Sequence, residues 1–160
     1  MPRAVESTGP GTGAEPGPEP AGRNSNSHSP GFGCVYLTCS VREAALASAL
    51  AAPARICICH AAGLGEARRL LTLTWSRVLL TDAVFEGGDW KDALQMTVRM
   101  HPATALVVAS PWADERFWLD VLERGAYDLI LNPFRAEELR RVLENAHRHA
   151  TAGGLRYMTA

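Results

Sequence analysis

Three polar side chains stand where apolar runs end: Asp82 closes Arg77 to Asp82, Ser110 closes Thr104 to Ser110, and Asn132 follows Tyr127 to Leu131. A carboxylate, a hydroxyl and an amide at the ends of apolar strands are groups that could together bind a polar ligand. Each also has a plain structural use. Asp82 can be an idle polar residue at a strand end. Ser110, ahead of Pro111 and the acidic turn Asp114-Glu115, can cap a helix, and Asn132 can brace the turn it makes with Pro133. Two further patterns carry possible chemistry. Cys57-Ile58-Cys59-His60, with Cys34 and Cys39 on a neighbouring strand, has the thiol and imidazole types of a zinc site, although cysteine on a buried strand more often serves as a small hydrophobe. Gly63-Leu64-Gly65 at a helix start, with Asp82 about twenty residues on, follows part of a dinucleotide-binding fingerprint, yet Arg68 stands where its third glycine belongs.

These residues are positioned by an alternation of short apolar runs and longer helical patterns from Cys34 onward. The strand candidates are Cys34 to Cys39, Arg55 to His60, Arg77 to Asp82, Thr104 to Ser110 and Tyr127 to Leu131. They are nearly continuous in apolar residues, as strands covered on both faces should be. Between them the spacing predicts helices over 41–51, 63–74, 90–99 and 114–124, and a last one over 135–149. In that last helix Leu139, Val142, Leu143 and Ala146 form one stripe, Glu137 and Glu138 occupy the first turn, and His147, Arg148 and His149 the last. Strands alternating with helices imply βαβ units with right-handed crossovers. The expected fold is α/β, a doubly wound five-stranded parallel sheet of the flavodoxin type with strand order 2-1-3-4-5. Its ligand site then lies beyond the carboxyl ends of the strands, among Thr38, Cys39, His60, Asp82, Ser110 and Asn132.

Composition limits what the fold can do. The chain has 160 residues, is 47% hydrophobic and has a formal net charge of −1, which gives no electrostatic case for binding nucleic acid. Residues 1–33 hold 6 of the 10 prolines and 7 of the 14 glycines with little apolar surface, and are expected to be a disordered tail without the apolar run of a secretion signal. One domain over 34–150 follows, then a short tail at 151–160. No run approaches the roughly 20 apolar residues of a membrane span, so a cytoplasmic location is expected.

The second half of the chain is more specific. Leu106-Val107-Val108-Ala109-Ser110, a helix, the corner Gly125-Ala126, and Tyr127 to Asn132 followed by Pro133-Phe134 resemble the matching half of a bacterial response-regulator receiver domain. Asp82 falls in register as the family's phosphoacceptor, Ser110 as its hydroxyl and Asn132 at its lysine. The resemblance implies phosphoryl transfer onto Asp82 with Mg2+, and a cis peptide at Asn132-Pro133.

Against that implication, the positions of the family's acid pair hold Thr38 and Cys39, and the lysine position holds Asn132. The loop after Asp82 lacks the usual proline and offers Glu86, while Leu129 replaces the signalling aromatic. A lone carboxylate with the Val84 carbonyl is a thin Mg2+ site, even if Glu86 bends in. The expectation is a degenerate receiver in two-component or phosphorelay signalling, no enzyme, without a bound cofactor. It would act by protein contact with a histidine kinase, an output protein or a second copy, through residues 112–149. Trp112, Phe117 and Trp118 are the aromatic candidates there, with Phe117 and Trp118 pointing apart. The alternatives are a functional single-domain response regulator phosphorylated on Asp82, and a Rossmann-like dinucleotide-binding domain.

Overall fold

A computed structural model describes residues 30–158, with side chains to residue 153; most of the stretch read above as a disordered tail, and the chain end at 159–160, lie outside the described residues. Five strands form one parallel sheet: β1 (Phe32–Leu37), β2 (Ile56–Ala61), β3 (Val78–Asp82), β6 (Ala105–Ser110) and β7 (Asp128–Leu131). A two-residue hairpin, β4 (Val84–Phe85) and β5 (Gly88–Asp89), sits between β3 and the third helix. The helices are α1 (Val41–Ala51), α2 (Leu64–Thr74), α3 (Trp90–Met100), α4 (Glu115–Glu123) and α5 (Ala136–Met158). Sheet order is β2-β1-β3-β6-β7, which is the expected 2-1-3-4-5 order once the hairpin is set aside.

Side-chain alternation sends each strand's apolar residues into two layers. Cys34, Tyr36, Val78, Leu80, Val107 and Ile130 pack toward α1 and α5, where Leu139, Val142, Leu143 and Ala146 present the predicted stripe. Val35, Leu37, Leu79, Leu106, Val108 and Leu129 pack on the other face with Leu71, Trp90 and Val121. The sheet is therefore dry on both sides, and that dryness is why its strands read as unbroken apolar runs. Among the described residues no helix is long and apolar enough to cross a membrane.

The structure moves three boundaries. β1 begins at Phe32 rather than Cys34 and ends at Leu37, because its register with β2 pairs Phe32 with Ile56 and Leu37 with Ala61. This leaves Thr38 and Cys39 in the loop. The hairpin was not foreseen; Gly87 takes a left-handed φ of 89°, which lets the chain reverse in so few residues. The last helix continues to Met158 rather than stopping at 149, since Ala150 still packs in the core and the Thr151 hydroxyl bonds back to the His147 carbonyl. His147 and His149 are thus not the helix's final turn and do not answer its dipole. His147 instead stacks on Phe32 with ring centroids 4.1 Å apart.

Candidate functional site

The winding reverses between β1 and β3, and the carboxyl ends there open into a cleft of about 520 Å3. Glu43, Asp82, Ala83, Val84, Ala109, Ser110, Pro111, Trp112, Asn132 and Pro133 line it. Asp82, Ser110 and Asn132 are therefore brought together in one cleft. Asp82 pairs across the sheet with Ala109, Ser110 with Leu131, and the Asn132 N–H donates to the Ser110 carbonyl at 2.9 Å. The Asn132-Pro133 peptide is cis. Ser110 is buried, and its hydroxyl oxygen accepts from the Trp112 N–H at 3.2 Å. That bond shapes the turn rather than capping α4, whose cap is Asp114, accepting from Phe117 N–H at 2.7 Å.

Two residues of the site were not singled out from the sequence. Tyr36 and Asp82 face the same side of the sheet, because Tyr36 pairs with Leu80, two residues before Asp82. Consequently the Tyr36 hydroxyl donates to Asp82 Oδ1 at 2.8 Å, and lies 3.3 Å from Glu43 Oε2. Asn132 Nδ2 donates to the same Glu43 oxygen at 2.7 Å. Glu43 had a readable signal: Ser40-Val41-Arg42-Glu43 has the spacing of a capping box, and Ser40 does cap α1 by accepting from the Glu43 N–H at 3.1 Å. In a full box the glutamate would turn back to the Ser40 N–H. Here Thr38 Oγ1 takes that N–H at 3.1 Å, which frees the Glu43 carboxylate for the cleft.

The electrostatics follow from this arrangement. Partial burial lifts the Asp82 carboxyl above its ordinary range; hydrogen bonds from Thr38 and Tyr36 pull it down, and the Glu43 charge pushes it up again. Burial first, and the charge on Asp82 second, push the Tyr36 phenol well above its usual value, so it stays protonated and remains a donor. Among the described residues none lining the cleft is cationic. The two carboxylates are met by a phenol and an amide, both neutral.

That donor set departs from the acid pair through which the receiver resemblance implies Mg2+ binding. Mg2+ asks for near-octahedral oxygen ligands, whereas Thr38 and Cys39 occupy the loop where acids would stand, and one oxygen of each carboxylate already accepts from Tyr36 or Asn132. Glu86 does not bend in. It is exposed on the hairpin, outside the cleft lining, and its N–H points to Cys39 Sγ at 3.0 Å. The notion of a lone carboxylate is corrected all the same: Glu43 is a second one.

The remaining candidates fall elsewhere. His60 Nε2 lies 2.8 Å from the Thr38 carbonyl, a contact that holds the loop. Cys34 is buried in the layer against α1 and α5, its thiol pushed up to about 12 by burial, while Cys59 packs on the opposite face and Cys57 and Cys39 are exposed. Among the described residues no three His, Cys, Asp or Glu side chains are grouped to hold a metal. Gly63 and Gly65 follow β2, an edge strand, so the G-x-G turn does not open onto the crevice between β1 and β3 where a dinucleotide would lie. Phe117 packs on Trp90 with centroids 6.2 Å apart, whereas Trp112 is 78% exposed and Trp118 42% exposed.

No family model matches the sequence, and no curated protein does. Solved structures do match. A signal receiver domain from Vibrio parahaemolyticus superposes with a TM-score of 0.70 at 15% identity, over 78% of this chain and 96% of that one. A response regulator receiver domain from Clostridium thermocellum gives 0.68 at 16%, over 76% and 98%. The beryllofluoride-activated NtrC4 receiver domain dimer gives 0.67 at 16%, over 74% and 98%. At these identities the likeness is one of fold: the chain has the receiver fold, a five-stranded parallel sheet flanked by five helices.

Proposed function

We propose that this chain is a receiver-type signalling module whose phosphorylation site has degenerated, and that it works by contact with another protein rather than by catalysis. The observation that carries this is that Asp82 and Glu43 meet at Tyr36 in a cleft whose described lining residues include no cation. Phosphoryl transfer to an aspartate depends on positioned positive charge around the moving group. Each unit of negative charge brought to about 4 Å from Glu43 would instead cost on the order of 4 kcal/mol at an effective dielectric of about 20. Asn132 can offer only a hydrogen bond where a lysine would supply charge. The similarity to a receiver dimer and the exposed Trp112 and Trp118 favour a surface within residues 112–149 for self-association or for docking a kinase or output protein.

A second reading keeps Asp82 as a phosphoacceptor in a working response regulator, with Glu43 standing in for the displaced acid pair. Incubation with Mg2+ and acetyl phosphate, followed by intact mass measurement, separates the two. The first reading expects no adduct. A stoichiometric gain of one phosphoryl group that disappears in Asp82→Asn would establish the second.

A further inference from the structure

The acidic floor of the cleft is bordered by apolar surface that no described residue covers. Val84 on the hairpin is 75% exposed and Trp112 78% exposed, and Pro111 and Pro133, which also line the cleft, are exposed. Large apolar side chains left in water around a charged depression mark a place where something docks. The charge of the floor narrows what that is. Glu43 and Asp82 are each half-buried; Asn132 and Tyr36 engage one oxygen of each, Thr38 also bonds to Asp82, and Ser110 adds a buried hydroxyl oxygen. The site therefore combines acceptors and negative charge with an exposed indole and aliphatic surface.

We propose that this cleft receives an arginine side chain from a partner protein, its guanidinium between Glu43 and Asp82 and its stem against Trp112. Arginine fits on three counts. Its flat fork of N–H donors can serve two carboxylates at once, its delocalised charge is less costly to remove from water than an ammonium, and its plane stacks on an exposed indole. A bare divalent ion would leave the rim uncovered, and a neutral side chain would leave the carboxylates unanswered. The inference rests on the contact reading above and specifies what the contact inserts.

The test uses the full chain and three short blocked peptides, Gly-X-Gly with X as arginine, lysine or citrulline, the last matching arginine in shape without its charge. Amide shifts of residues around the cleft are followed by NMR as each peptide is added. Arginine is expected to bind saturably, lysine more weakly, and citrulline about tenfold more weakly than arginine or not at all. Glu43→Gln and Asp82→Asn should each cost about tenfold in arginine affinity, and Trp112→Ala should weaken it without lowering the melting temperature. The proposal is overturned if arginine gives no saturable shift, if citrulline or lysine equals it, or if Glu43→Gln binds as the parent does. Phosphorylation of Asp82 alongside intact arginine binding would remove the degenerate-receiver reading and leave this site standing. An unphosphorylated chain that ignores the peptides would do the reverse.

Discussion

The 2.8 Å bond from the Tyr36 hydroxyl to Asp82 sets how the cleft responds to pH and to mutation. Burial raises the Asp82 carboxyl, so the folded chain holds that proton more tightly than the unfolded one. The stability this contributes is complete below the ordinary carboxylate range and is lost as pH climbs through the raised value. Asp82→Asn keeps an oxygen to accept from Tyr36 and never carries the charge. It should therefore melt higher than the parent at neutral pH, by on the order of a few degrees, with the gap closing in acid. Thermal unfolding of both proteins across the acid-to-neutral range checks the sign. Tyr36→Phe removes the shared donor and leaves two half-buried carboxylates facing each other. We expect a loss of about 1–3 kcal/mol in urea unfolding, larger at neutral pH than in acid.

At the scale of elements, α4 divides its aromatic residues between the core and the surface. Phe117 meets Trp90 beneath the helix, and Trp118, one residue on, points away. Phe117→Ala should cost about 2 kcal/mol of folding stability by leaving a cavity, while Trp112→Ala and Trp118→Ala should each change it by less than about 0.5 kcal/mol. If the exposed tryptophans form a docking surface, those two variants lose self-association or partner capture, and sedimentation velocity separates that loss from unfolding. This split was half legible: adjacent helical residues must diverge, but which one turns inward depends on the position of Trp90, and no local pattern fixes that. The same limit explains the hairpin and the end of α5. Two-residue strands leave no periodicity to read, and His147, Arg148 and His149 read as a last turn until Ala150 is seen packing beyond 149.

For the whole molecule, topology was readable because parallel strands buried on both faces leave long apolar runs, and right-handed crossovers then leave few ways to connect them. The strand ends fixed the place of the cleft, and with it Asp82, Ser110 and Asn132. Glu43 escaped because its partners Asn132 and Tyr36 come from β7 and β1, and its own neighbourhood suggested only a helix cap. With it the acids are misplaced rather than missing: negative charge remains, and no described residue lining the cleft is a cation. The most direct measurement is a side-chain carboxyl NMR titration of Asp82 and Glu43, with and without millimolar Mg2+. The account predicts that Asp82 titrates above the ordinary carboxylate range and that Mg2+ leaves both curves in place. A marked downward shift of either carboxyl on adding Mg2+ would contradict it, because the cleft would then hold the cation that phosphoryl transfer needs.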